Sequence, residues 1–299
     1  MATFLVISTL VIAPAGILLY YFWVRDRWER EPWSYTLLLF GAGCLSVIPA
    51  AIIEVGIHYG SDLKTVGEAF FVAFFVAGLV EELVKFGFVY FLTLLSRNFT
   101  EEYDGIVYSV AVGLGFALAE NIMYAFAAFQ EEGQGFVTVV SRAFTAVPMH
   151  GLDGVIMGFF IGQAHFMADR SKRIKTLLTG ILIAILFHGL YDFFAFLMIP
   201  LPVGYQGWCI VGLAWIIVVQ GGTAHRFVRT AQERSCAQWG FALHPSVIDP
   251  ASSTTAPSSP SRIPLTHQTQ ISARHFCRFC GKKITPNAIF CATCGSKLD

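Results

Sequence analysis

Charge is scarce in this chain. Only 13% of its 299 residues are Asp, Glu, Lys or Arg, against 55% hydrophobic, and the mean hydropathy is +0.62. An ordinary soluble globule, in which about a quarter of the residues are charged, is excluded. The 20 basic and 20 acidic residues cancel, so bulk charge supplies no argument for a nucleic-acid partner. A basic segment ahead of the first apolar stretch is also missing. That stretch, Thr3 to Val24, runs through Leu18-Leu19-Tyr20-Tyr21-Phe22-Trp23 well past Ala13-Pro14-Ala15, which imitates a small-residue cleavage site. The pattern predicts an uncleaved helix, not a signal peptide. No internal repeat is visible and no broken helix is evident, two absences that count against transporters built from duplicated halves. Of seven cysteines, Cys44, Cys209 and Cys236 have no partner spacing and read as packing residues.

What is abundant is apolar sequence in lengths of about 20 residues, the length that spans a bilayer. Runs such as Ala69-Phe70-Phe71-Val72-Ala73-Phe74-Phe75 account for many of the 28 phenylalanines. Spans are predicted near 3–24, 35–56, 66–95, 105–129, 137–166, 177–198 and 203–220. The fold class is therefore an all-α polytopic membrane protein of about seven transmembrane helices, with a small appendage at the C-terminus. Arg25, Arg27, Arg30, Arg97, Arg170, Lys172, Arg173, Lys175, Arg226, Arg229 and Arg234 collect on one side, while Lys64 and Arg142 fall on the other. The positive-inside rule then puts the protein in the cell membrane with its N-terminus outside and its C-terminus in the cytoplasm. Three regions are expected: a membrane domain over 1–222, a juxtamembrane segment and Ser/Thr/Pro-rich disordered linker over 223–273, and a tail module over 274–299.

Against this apolar background a few residues stand out. Glu81-Glu82-Leu83-Val84-Lys85 lies in the middle of the third span, although each charge at mid-membrane costs roughly 2.5–3.5 kcal/mol on the insertion scale. Helical spacing lets Lys85 neutralise one carboxylate and leaves the other for chemistry or a cation. Glu54, near the end of the second span, is expected at the interface. Glu120 and Asn121 fall near mid-span in the fourth helix. His150 opens the ridge Gly154, Gly158, Gly162 in the fifth, with Asp153 beside it, and His188 and Asp192 share a face of the sixth. Glu81, Glu120, His150 and His188 come at similar depth. Glu81, Glu82, Glu120, Asp153 and Asp192 outnumber Lys85, so either some acids keep their protons or a divalent cation sits among them. Glu120, His150 and His188 make one candidate ligand set for a catalytic metal. Alternatively, a glutamate acts as general base on water without metal, with His and Asn donors holding an oxyanion. Each residue also has a bland reading: a lone histidine bonded to a helix carbonyl, an asparagine serving as an interhelical contact.

The tail carries two CxxC pairs, Cys277/Cys280 and Cys291/Cys294, ten residues apart and each followed by glycine. Four thiolates at this spacing close a tetrahedral zinc site, and a cytoplasmic tail keeps them reduced. A closed four-cysteine site has no open position, so this zinc ribbon is structural, for docking a cytoplasmic partner or for regulation.

Four patterns, Glu81-Glu82-x-x-Lys85, Phe116-x-x-x-Glu120-Asn121, His150 with Gly158, and His188-x-x-x-Asp192, together resemble the PrsW family of intramembrane proteases, within the wider superfamily of CAAX prenyl proteases and bacteriocin-processing enzymes. The charged loop Arg25 to Pro32 is similar too, and the resemblance covers about Met1 to Gln220. It implies hydrolysis of a peptide bond in a membrane-anchored protein, such as an anti-sigma factor, within the lipid bilayer. Glu81 would activate water, Glu82 would pair with Lys85, and Glu120, His150 and His188 would complete the catalytic set, supported by Asn121 and Asp192. Glu120 and Asp192 stand where prenyl-protease relatives carry neutral groups, which makes a metal-dependent endopeptidase the more attractive version. The alternatives are a metal-free glutamate peptidase of the same fold and a proton- or cation-coupled transporter. A sensor that merely presents the ribbon ranks last, because it gives the buried polar layer no purpose.

Overall fold

The computed structural model describes residues 2–58, 63–96, 98–130 and 134–238. Each predicted apolar span is helical: α1 (Ala2–Arg25), α2 (Trp33–His58), α3 (Val66–Phe71), α4 (Leu79–Leu95), α5 (Glu102–Ala128), α6 (Gln134–Phe144), α7 (Ala146–His165), α8 (Arg170–Leu197) and α9 (Val203–Gln238). Among the described residues, six helical stretches are long and apolar enough to cross a membrane. The remaining expected span, 66–95, is continuous, but a π-helical segment, Val72–Gly78, joins α3 to α4. The protein is an all-α polytopic membrane protein. The zinc-ribbon cysteines Cys277, Cys280, Cys291 and Cys294 lie outside the described residues.

Two spans form the centre. In an apolar 18-residue window of the α5 span and of the α6–α7 span, 72% of the residues are buried, against 22–39% in such windows of α1, α2, α8 and α9. The peripheral helices turn Ile52, Trp208, Trp215 and Val218 outward, as lipid-facing surfaces require. The central contact is made by backbone. A Cβ placed on Gly105 would stand 2.6 Å from the Gly162 nitrogen, and one on Gly158 would run into the carbonyl of Gly105. The predicted ridge Gly154, Gly158, Gly162 is thus the face that α7 presses onto α5. Gly113 brings α5 against the His150 carbonyl in the same way, at 2.8 Å from a built Cβ.

Two predicted spans differ in detail. The fifth is broken at Thr145, where α6 stops and α7 begins. Pro148 sits in the first turn of α7, where its missing N–H costs no helical bond, and α6 packs beside α5 and α1. The seventh helix continues beyond Gln220 to Gln238. Its 36 residues extend about 54 Å, more than a hydrocarbon core of about 30 Å, so Arg226, Arg229, Glu233 and Arg234 emerge on a continuous helix.

Candidate functional site

The π-helical segment sets the phase of α4 so that Glu81, Glu82 and Lys85 all face the bundle interior, while Leu83 between them faces out. Lys85 uses its three N–H groups on them and on α7. Its Nζ lies 3.1 Å from Glu81 Oε2, 2.8 Å from Glu82 Oε1 and 2.9 Å from His150 Nδ1. The ammonium also sits 4.1 Å from the centre of the Phe116 ring. Gly78 and Gly189 bring α8 close to the start of α4, since a Cβ on Gly78 would lie 3.1 Å from the Gly189 nitrogen. This delivers His188 into the same cluster.

Each imidazole is clamped by a carboxylate on one nitrogen. His188 Nδ1 is 2.7 Å from Glu82 Oε1, which leaves Nε2 facing Asp192 Oδ2 at 3.2 Å and Glu81 Oε2 at 3.7 Å. His150 Nε2 is 2.8 Å from Glu120 Oε2, which leaves Nδ1 on the Lys85 side. The two rings lie 5.2 Å apart, edge to face. Both histidines, Glu82 and Lys85 are buried, whereas the side chains of Glu81, Glu120, Arg142 and Asp192 keep 7%, 14%, 17% and 13% of their surface. The more accessible edge of the cluster therefore runs along Glu120, Arg142 and Asp192, with Glu81 buried beside it. Glu81 Oε2 takes the lysine, and Oε1 has no hydrogen-bond partner among the described residues.

Asn121 does not enter the cluster. Its amide oxygen accepts from Arg142 Nε at 2.7 Å, while Arg142 Nη2 pairs with Glu120 Oε2 at 2.8 Å and the guanidinium stacks 3.9 Å from the Tyr124 ring. The sequence reading missed this arginine by leaving it as a loop charge. The signal was available, because a lone basic residue in the apolar stretch Thr138 to Phe144 is the same anomaly that singled out Lys85. Gln220 was missed as well: its Nε2 donates to Asp153 Oδ1 at 2.6 Å. Glu54, expected at the interface, is half-buried and close enough to Glu120, Lys85, His188 and Asp192 to feel their charges.

Five carboxyls, Glu81, Glu82, Glu120, Asp153 and Asp192, thus face two fixed cations, Lys85 and Arg142, and two imidazoles. Even with both imidazoles protonated a negative charge is left over, so the cluster needs further protons or a metal ion. The donors suit a metal. Glu81, His150 and His188 each offer a ligand atom within 4.8 Å of the others, as do Glu82, Asp153 and His188. Two histidines and a glutamate are a donor set used by catalytic zinc, and a carboxylate on the far nitrogen of each imidazole is what orients metal-binding histidines. Glu120, by contrast, contacts His150 alone of the two imidazoles and is shared with Arg142.

Residues 31–220 match the family model described as PrsW family intramembrane metalloprotease, and residues 276–298 match a zinc-ribbon domain. The chain is 39% identical over 183 residues to the protease PrsW of Bacillus subtilis, covering 61% of this chain and 79% of that protein. To the protease PrsW of Geobacillus kaustophilus it is 41% identical over 182 residues, 60% and 76% of the two chains. To that of Clostridioides difficile it is 32% identical over 211 residues, 70% and 85%. No solved structure matches.

Proposed function

Given that the chain belongs to the PrsW family of intramembrane metalloproteases, and is an intramembrane protease, we propose that it cleaves a membrane-anchored protein with Glu81 as the proton acceptor for the attacking water. The observation that carries this is the division of the buried Glu81 carboxylate: Oε2 is held by Lys85, while Oε1 has no partner among the described residues. As water adds to the scissile carbonyl carbon, its proton passes to Glu81 and the oxygen becomes an oxyanion. When the C–N bond breaks, the same proton is delivered to the leaving amine. Lys85 fixes Glu81 and Glu82 together. Glu82 holds His188 by Nδ1, and Glu120, itself pinned by Arg142, holds His150 by Nε2. His188 thus turns Nε2 towards Glu81 and Asp192, while His150 Nδ1 takes a lysine N–H. A metal would be held through His188, the histidine common to both donor groups, and when bound would supply a Lewis acid for the carbonyl and lower the pKa of water.

In this reading residues 1–222 are the protease domain, 223–273 a juxtamembrane segment and linker, and 274–299 a ribbon in which Cys277, Cys280, Cys291 and Cys294 bind structural zinc. The basic loops put the N-terminus outside and the ribbon in the cytoplasm, where it docks a partner or regulates the protease. The test is Glu81→Gln in purified protein with a labelled transmembrane peptide. The amide keeps the size and loses the base, so cleavage should fall by about 10²–10⁴-fold with a native unfolding temperature. Cleavage at the wild-type rate would remove Glu81 from the mechanism.

A further inference from the structure

A second cluster of acids lies at the end of the bundle where α1 leads into α2 and α4 into α5. Asp104 is 16 residues before Glu120 on α5, which puts it about 24 Å along the helix from the membrane site. Asp26, Glu101 and Asp104 have no exposed surface and Glu31 only 3%. Local geometry explains half of each carboxyl. The Glu31 N–H donates to Asp26 Oδ2 at 2.9 Å. The Thr100 and Glu101 N–H groups donate to Asp104 Oδ2 at 2.6 and 2.9 Å, closing a capping box in which the Glu101 side chain takes the Asp104 N–H. The Tyr108 hydroxyl donates to Glu31 Oε1 at 3.1 Å.

The other halves are not explained that way. Asp26 Oδ1, Asp104 Oδ1 and Glu31 Oε2 are buried and reach no hydrogen-bond partner among the described residues. The arginines whose contacts are seen nearby are engaged elsewhere. Arg30 donates to the main-chain oxygens of Asp26 and Val24, both at 3.2 Å, Arg25 lies over the Tyr21 ring, and Arg234 pairs with Glu102. Buried carboxylates without a cation are strongly disfavoured. Asp26, Glu101 and Asp104 each turn one oxygen to within 4.8 Å of the others. Here backbone amides hold Oδ2 of Asp26 and of Asp104, and the buried Oδ1 of each is left for a guest.

We infer that Asp26, Glu101 and Asp104, with Glu31 alongside, form a buried binding site for a hard divalent cation, Mg2+ or Ca2+. The donors are all oxygen, which excludes the preference for nitrogen and sulfur that marks zinc, and the spread of the oxygens suits ions that bind oxygen at about 2.0–2.6 Å. The ion ties two loops together. One carries Asp26 and Glu31, and its neighbour Trp23 donates to the Glu31 carbonyl at 2.8 Å; the other starts α5, whose Tyr103 hydroxyl donates back to the Phe22 carbonyl at 3.1 Å. It acts as a staple at the base of the helices that carry the protease site.

The test uses the full chain carrying Glu81→Gln and His188→Ala, so that the membrane site is silenced, with zinc left on the ribbon. Mn2+ is titrated in detergent and followed by its free-ion EPR signal, with Mg2+ and Ca2+ as competitors. The inference expects one saturable Mn2+ site that either competitor displaces. Adding Asp104→Asn, which keeps an amide oxygen for the capping bonds, should weaken that site at least tenfold, as should Asp26→Asn in a separate chain. Absence of a saturable site overturns the inference. So does a site whose affinity survives either substitution in a chain that unfolds cooperatively.

Discussion

Gly158→Ala adds one methyl group where the backbone of α7 meets the backbone of α5. A Cβ there would stand 2.7 Å from the Gly105 carbonyl carbon and 2.7 Å from Ile106 Cα, whereas ordinary contact begins near 3.4 Å. The obstacles are backbone atoms of α5, so no side chain can swing away, and α7 must retreat by roughly 0.7–1 Å. Overpacking of this kind costs about 1–3 kcal/mol. At about 2–4 °C per kcal/mol for a domain of this size, unfolding should come about 2–12 °C lower. The displacement also reaches chemistry, because His150 lies two turns before Gly158 on the same helix and meets Glu120 of α5 at 2.8 Å. A misplacement of about 1 Å can cost about 10²-fold in rate. The assay is thermal unfolding in detergent together with kcat/KM on a transmembrane peptide. Gly87→Ala serves as the control, since Gly87 is on α4, six residues from Glu81, and a Cβ there meets nothing within 4 Å. If Gly158→Ala matches Gly87→Ala in both measurements, close backbone packing does not position the site.

Arg142→Ala should leave Glu120 without its guanidinium. Breaking a buried ion pair costs about 3–5 kcal/mol; with 14–17% of these side chains exposed, about 2 kcal/mol is the better expectation, along with at least a tenfold loss of kcat/KM as the His150 clamp loosens. An arginine that can be removed with neither effect is only a loop charge. Truncation before Pro250 removes the ribbon, and metal analysis of the remaining chain should still find one zinc, lost again in His188→Ala. A truncated protease that cleaves in chelator and carries no metal would make Glu81 a metal-free base.

How far the sequence could be read follows from the physics of each feature. Glu81, Glu82 and Lys85 were legible because a charge inside an apolar run has a large cost that only a purpose offsets, and His150 was legible from the glycine ridge that follows it. The ribbon was legible because its ligand spacing is local. Arg142 and Gln220 were harder because their partners, Glu120 and Asp153, lie on other helices, and only tertiary packing pairs them. That Glu54 feels the charges of Glu120 and Lys85 was not legible either, because only the packing of α2 on its neighbours brings them together. The break at Thr145 and the π-helical turn at Val72–Gly78 were also hidden. They put discontinuous helices beside the site, so the absence of broken helices was no argument against a transporter; family membership is what decides for a protease.

Those two discontinuities do complementary jobs. The π-helical turn precedes the α4 turn whose two glutamates and lysine point inward, and the α6 segment before Thr145 brings Arg142 to Glu120 while α7 packs along α5. The resulting site hangs on α5 and α7, whose backbones touch at Gly105, Gly158 and Gly162. The mobile partner in catalysis must then be sought among the peripheral helices, which carry few buried residues, and not at the Glu120–His150 clamp. Substrate entry by movement of α2 or α9 would leave that clamp at 2.8 Å while opening a path to the buried Glu81. A cross-link between α5 and α7 at the glycine ridge should therefore leave cleavage intact, and loss of cleavage in a cross-linked chain that still unfolds cooperatively would show that the central pair itself has to part.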